Sequence, residues 1–303
     1  LAESEGAANK TCESFSSCSG NGGGIFLNSL GTTVASCRED AGYCFAYCKC
    51  NAGWAGSSCS LNSTTFPTIS NIIKLACDNL ACTDAENCAS ELAQIKPFEM
   101  NMGAYEACST RMDALIALTW TSGDYNLMND NGSKFVKIIS SFVEMHLHAG
   151  LLGDSSLINA GGTGTTMPSA TTVNSLLYYA KEVQNLMQSK LIPINTGSIS
   201  VADHALIRMY TFRDDSSTMQ SRALQGLSTS SETSWAENGS VPMNFVQWPS
   251  AGVSSCVSSG YFGYSVTHWG MLPLSIVEVA EGLNMRALGW DTLDSPIMQV
   301  TTS

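Results

Sequence analysis

Apolar residues recur every three to four positions through the middle of this 303-residue chain. Ile69, Ile72, Ile73, Ala76 and Cys77 fall on one face of a helix of period 3.6. Tyr105, Cys108, Met112, Leu115 and Thr119 predict a longer helix ending near Trp120. A turn at Ser122-Gly123-Asp124 and a polar loop at Asn129-Asp130-Asn131-Gly132 follow. Phe135, Ile138, Ile139, Phe142, Met145 and His146 then line an amphipathic helix, with Gly150 as its expected terminator. Residues 153–172 are rich in Gly, Ser and Thr and read as a flexible loop suited to O-linked sugar. After Pro168-Ser169, the positions Val173, Leu176, Leu177, Ala180, Val183 and Met187 predict another helix.

Beyond Pro193 the pattern shifts towards alternation and β-branched residues, as in Ile199, Val201, Leu206, Met209 and Tyr210. Strands are predicted over 198–212, 241–246, 260–269, 285–289 and 297–302, with a Ser/Thr-rich loop over 228–240. The periodicities therefore predict a helical part followed by an antiparallel β-sandwich.

The first sixty residues follow neither pattern and are organised by cysteine. The chain has 12 cysteines, and all but Cys256 lie before residue 109. A segment of about 50 residues buries too little apolar surface to offset its chain entropy, so disulfides must constrain its unfolded state. Cysteine of this density implies an oxidising, secreted or cell-surface setting. Four Asn-x-Ser/Thr triplets, at Asn9, Asn62, Asn131 and Asn238, agree with it and fall in stretches that read as loops. Cys77, Cys82, Cys88 and Cys108 lie in the helical part and predict two disulfides, with three pairings open.

Charge narrows the function classes. The net charge of −12, with only 13% charged residues, argues against a nucleic-acid partner, which needs a basic face. No uninterrupted apolar run reaches the roughly 18 residues that a membrane span requires, so no membrane insertion by this segment is expected. Leu1-Ala2-Glu3-Ser4 lacks the pattern of a signal peptide, and a mature, processed chain is the expectation.

The run Cys48-Lys49-Cys50-Asn51-Ala52-Gly53-Trp54-Ala55-Gly56-Ser57-Ser58-Cys59 resembles the C-terminal half of an epidermal-growth-factor-like (EGF-like) module, C-x-C-x2-G-aromatic-x-G-x2-C. Cys12, Cys18 and Cys37 take the places of its first three cysteines. The resemblance implies the pairs Cys12–Cys37, Cys18–Cys48 and Cys50–Cys59. Two departures stand out: the stretch 23–36 is longer than the family's, and Cys44 is a surplus seventh cysteine, which leaves connectivity open by one partner. The acidic residues of the calcium-binding subtype are replaced by Asn9-Lys10-Thr11, so no calcium is expected. Zinc is not expected either, because the chain contains no C-x2-C pair.

The second half carries Val241-Pro242-Met243, then 264–273 (YSVTHWGMLP) and 294–300 (DSPIMQV). It is similar to ectodomains of polycystin-type and receptor-for-egg-jelly-type proteins, which contain a GPCR-autoproteolysis-inducing (GAIN) domain. That resemblance, over roughly residues 65–303, implies a helical subdomain followed by a β-sandwich. The family's Asn-Pro after the tryptophan is replaced by Leu272-Pro273, and the self-cleavage motif is absent from these residues.

Candidate chemistry is sparse. His146 and His148 are two apart, so on a helix they point to different faces and cannot chelate one ion. Asn129-Asp130-Asn131-Gly132 lacks the ligands of an EF-hand, since Leu127 and Ile138 stand where acidic residues are needed. Gly161-Gly162-Thr163-Gly164 has no Lys-Ser/Thr after it and is read as a linker rather than a phosphate cradle. There is no G-x-S-x-G elbow, and His204 and His268 have no recognisable nucleophile partner.

The expectation is a multidomain α+β protein: a tail (1–10), an EGF-like module (11–60), a disulfide-tied helical subdomain (61–192) and a GAIN-like β-sandwich (193–303). It is expected to have no catalytic residues, no metal and no cofactor. The expected role is that of an extracellular structural or adhesive glycoprotein, as in the mastigoneme filaments of protist flagella. Its expected partners are copies of itself or other extracellular proteins, with N- and O-linked glycans. The apolar residues Trp248 and Phe262 would then face neighbouring subunits or fill the sandwich core. The ectodomain of a polycystin-like receptor or channel is the alternative.

Overall fold

The computed structural model describes residues 17–37, 44–122, 132–164, 166–190, 198–204, 206–215, 261–271, 273, 276 and 297–302. It is a mixed fold of helices and small antiparallel sheets, with five disulfides among the described residues, all between Cys18 and Cys108.

A 3-10 turn at Cys18–Gly20 leads into strands β1 (Gly22–Asn28), β2 (Thr33–Val34) and β3 (Cys44–Cys50), ordered β2-β1-β3. Strands β4 (Trp54–Ala55) and β5 (Leu61–Asn62) form a second small ladder. Cys18 pairs with Cys48 and Cys50 with Cys59, the same pairs that the EGF-like resemblance implies. Cys37 does not pair with Cys12. It bonds the surplus Cys44 instead, because β1 carries both neighbours into register. Phe26 lies opposite Val34 and Asn28 opposite Cys44, so the exit of β2 meets the entry of β3. Cys12, Asn9 and the tail lie outside the described residues, as do Cys256, Asn131 and Asn238.

Helix α1 (Thr65–Asn79) is entered through Asn62, whose Oδ1 accepts from the amides of Thr64 and Thr65, both at 2.9 Å. It buries Phe66, Ser70 and Cys77, while Ile72 is 62% exposed. The core face is therefore rotated from the one the isoleucines predict. The Cys77–Cys108 disulfide and Arg111 set that rotation. Arg111 donates from Nε to the Cys77 carbonyl (2.7 Å) and from Nη2 to the Asp78 carbonyl (2.5 Å), closing the end of α1 onto α3 (Met102–Ser122). Helix α2 (Ala85–Leu92) starts at Asp84, whose carboxylate accepts from the Asn87 amide at 2.7 Å, and is tied down by Cys82–Cys88.

Helix α4 (Ser133–Leu147) is the centre of the protein. Sequence predicts one apolar face, but Phe135, Val136, Ile138, Ile139, Phe142, Val143, Met145 and Leu147 are all buried. A helix that is covered all round needs neighbours on every side. Here they are α2, the Pro97–Glu99 3-10 turn, α6 (Ala170–Lys190) and strands β6 (Ser198–His204) and β7 (Ile207–Asp215). Gly150 does not terminate it. The helix continues as a π turn over His148–Leu152 and stops at Gly153, whose amide donates to the His148 carbonyl at 2.8 Å. The span Ser133–Leu152 is long and apolar enough to cross a membrane by length and composition, yet 78% of its most apolar window is buried within the protein, as in a core helix.

The expected flexible loop over 153–172 holds a short helix, α5 (Ser155–Ile158), and is tethered where Glu106 accepts from the Thr163 amide at 3.0 Å. Strands β6 (Ser198–His204), β7 (Ile207–Asp215), β8 (Tyr261–Trp269) and β9 (Ile297–Thr302) form one antiparallel sheet in chain order. The described strands do not close a sandwich; this sheet packs on helices α4 and α6. Leu206 donates its amide to Ser140 Oγ at 3.2 Å, and Gln184 Nε2 donates to Thr267 Oγ1 at 2.5 Å. Leu206, Ile207, Met209 and Trp269 are buried at the contact. The predicted strands at 241–246 and 285–289, and Trp248, lie outside the described residues, and the Phe262 side chain is likewise not described.

Candidate functional site

The chemistry-bearing side chains concentrate where the cysteine-rich segment meets the helices. The turn after Cys50 is made by glycines in the left-handed region, Gly53 at φ +83° and Gly56 at φ +94°. That geometry aims two amides at the helical part. Gly53 donates to Asp154 Oδ2 at 2.6 Å, and Gly56 donates to His148 Nε2 at 3.4 Å. Asp154 also starts α5, its Oδ1 accepting from the Ser156 amide (2.9 Å) and hydroxyl (2.6 Å). Hydrogen bonds from the Ser156 hydroxyl and then from Gly53 hold its carboxyl below the usual range.

His148 is completely buried. Its ring meets Phe98 edge-on at 5.3 Å and Phe66 at 6.1 Å, and Tyr47 of β3 stacks behind Phe98 at 6.0 Å. Because Gly56 donates to Nε2, the imidazole proton sits on Nδ1, which has no hydrogen-bond partner among the described residues. Gly153 closes the box: a Cβ there would lie 2.5 Å from His148 Nε2 and 2.4 Å from Ile158. Burial alone pushes His148 down to about 3.

His146 points elsewhere. Its Nδ1 donates to the Phe142 carbonyl at 2.7 Å, and its ring stands edge-on to Tyr105 at 5.4 Å. Burial pushes it down to about 4. One turn before His148 sits the partly covered Glu144, pushed up to about 7 by burial. The two histidines thus face different parts of the protein. Among the described residues no group of three or more His, Cys, Asp or Glu side chains is gathered as a metal site.

The other polar cluster lies between α3 and α6. Ser109 and Tyr179 share a 2.6 Å hydroxyl bond, and Trp120 Nε1 donates to Glu182 Oε2 at 3.3 Å. Burial raises both Asp113 and Tyr179 from their ordinary values. His204 closes the β6–β7 hairpin opposite Ile207, and His268 lies on β8 opposite Arg208. Of the four glycosylation triplets, Asn62 is described, and it is exposed.

Sequence reasoning missed the contact made by His148 and Asp154. The signals present were the glycines on either side of Trp54, the glycines after His148, and Asp154-Ser155-Ser156 as a helix start. No protein-family model matches the chain, and no curated protein matches it.

Proposed function

We propose that the chain is a non-enzymatic, extracellular structural or adhesive glycoprotein, a subunit of a cell-surface or flagellar filament. The carrying observation is the set of five disulfides, three in the segment 18–59 and two tying the first helices, joined by a buried polar contact. Disulfides at this density suit an oxidising, secreted setting. Rigid attachment of the stapled segment to the helices suits a part that transmits shape rather than one that turns over a substrate. Exposed Asn62 offers a glycan acceptor, and its Oδ1 caps α1 without using the amide nitrogen that a glycan would occupy. In this reading 12–59 is an EGF-like module and the remainder is GAIN-like.

Negative-stain electron microscopy of native, detergent-free material tests the reading. Regular filaments containing this chain are expected. Separate particles, or material extracted only with detergent, would overturn the filament and favour the polycystin-like ectodomain.

A further inference from the structure

We propose that His148 is an acid-sensitive latch: its protonation releases the turn Gly53–Gly56, and with it the cysteine-rich segment, from the helical part. This goes beyond the proposed role and does not rest on it.

The geometry carries the argument. The Gly56 amide donates to His148 Nε2, so that nitrogen must hold a lone pair while the turn is docked. A proton on Nε2 turns the acceptor into a donor and sets two N–H groups against each other. It also places a charge in a box walled by Phe66 and Phe98, where no carboxylate among the described residues offsets it. Opening the contact returns the imidazole to water, where it binds that proton at the ordinary histidine value of about 6.5. Acid therefore favours the open form by mass action.

The surrounding groups leave His148 as the sensor. Tyr47 approaches from β3, behind Phe98. The 3-10 turn brings Lys96 and Glu99, which are paired with each other at 3.2 Å. Helix α1 brings Lys74 and Asp78, also paired and at the surface. Asp154 holds Gly53, and its carboxyl, lowered in the docked state, loses its charge only at more acid pH than the histidine step. On its own helix His148 has Glu144 and His146. His146 is the internal control: it is as deeply buried, but its partners Phe142 and Tyr105 are in the helical core, so only global unfolding exposes it.

Hydrogen exchange of the full, disulfide-intact chain tests the latch, with rates corrected for intrinsic pH dependence. From pH 7 to pH 5 the opening equilibrium of residues 44–62 should rise about 25-fold, from the ordinary histidine value alone. Helix α3 should open at a higher free energy than 44–62 at both pH values, because it follows global unfolding alone. In His148→Gln the amide oxygen still accepts from Gly56 but cannot titrate, so the rise should vanish. Opening of 44–62 at the same free energy as α3 at both pH values, no rise at all, or a rise that persists in His148→Gln would each overturn the proposal. If His148→Gln does not fold, wild-type NMR decides: broadening of the Gly53 and Gly56 amides ahead of α3 supports the latch, and simultaneous loss or no change refutes it.

Discussion

The cysteine-rich segment and the helices behind it solve the same problem by different means. In 18–62 the deeply buried residues are mostly half-cystines, Cys18, Cys37, Cys48 and Cys59, with Leu27 and Ala55. Few apolar side chains are available there, so the stabilisation comes from restricting the unfolded chain. Around α4 the buried set is large and continuous, from Phe66 through Met112, Phe135 and Phe142 to Trp269. There the stabilisation comes from burial and close packing. The lesson is that each part should fail to a different insult: loss of volume should break the helices, and reduction should break the segment.

The largest effect should follow Phe142→Ala. Phe142 is 1% exposed and packs against Tyr105 and Tyr179, so truncation should cost about 3–5 kcal/mol, read from urea unfolding. Next is the double substitution Cys50→Ser/Cys59→Ser. It removes a bridge closing nine residues and should cost about 2–4 kcal/mol. Exchange protection should fall in 44–62 and hold in α4; equal loss in both would mean that the two parts are one cooperative unit.

A third, global prediction concerns pH. His146 and His148, at about 4 and 3 in the fold, contribute stability that is fully present above 6.5 and lost as pH falls below it. Glu144, at about 7, works the other way: its contribution is fully present below 4.5 and lost as pH rises through 7. Between 4.5 and 6.5 the unfolded chain takes up two protons at the histidines, while the fold holds one at Glu144. Unfolding free energy should therefore be lower at pH 5 than at pH 7 by roughly 2 kcal/mol, and Glu144→Gln should steepen the loss. A urea series at the two pH values checks both. The smallest effect is at the contact itself: Asp154→Ala removes an α5 cap and the Gly53 bond and should cost about 1 kcal/mol, localised to the turn by exchange.

How much was legible follows the physics of each element. Periodicity located α3, α4, α6 and four strands, because a one-dimensional pattern records which residues share a face. It misplaced the buried face of α1, where Cys77–Cys108 and Arg111 fix the rotation from outside the helix. It stopped α4 at Gly150, whereas Gly153 is the glycine that the packing requires, since Ile158 and His148 leave no room for a Cβ. Two of the pairings that the EGF-like resemblance implies are present, but the partner of Cys37 depended on strand register. The His148 contact was not legible, because Gly56 lies 92 residues away in sequence.

The disulfides also have a mechanical consequence. Three of them close successive, non-overlapping loops with sequence separations of 30, 9 and 31 residues. A chain pulled from its ends cannot extend through a closed loop, so these withhold on the order of 230 Å of contour length at about 3.3 Å per residue. Between Cys18 and Cys108, tension can lengthen only the short link from Cys48 to Cys50 and the stretch from Cys59 to Cys77, which contains most of α1. Between Cys18 and Cys108 the chain is thus nearly inextensible, and the longer of its two compliant stretches is mostly a single helix.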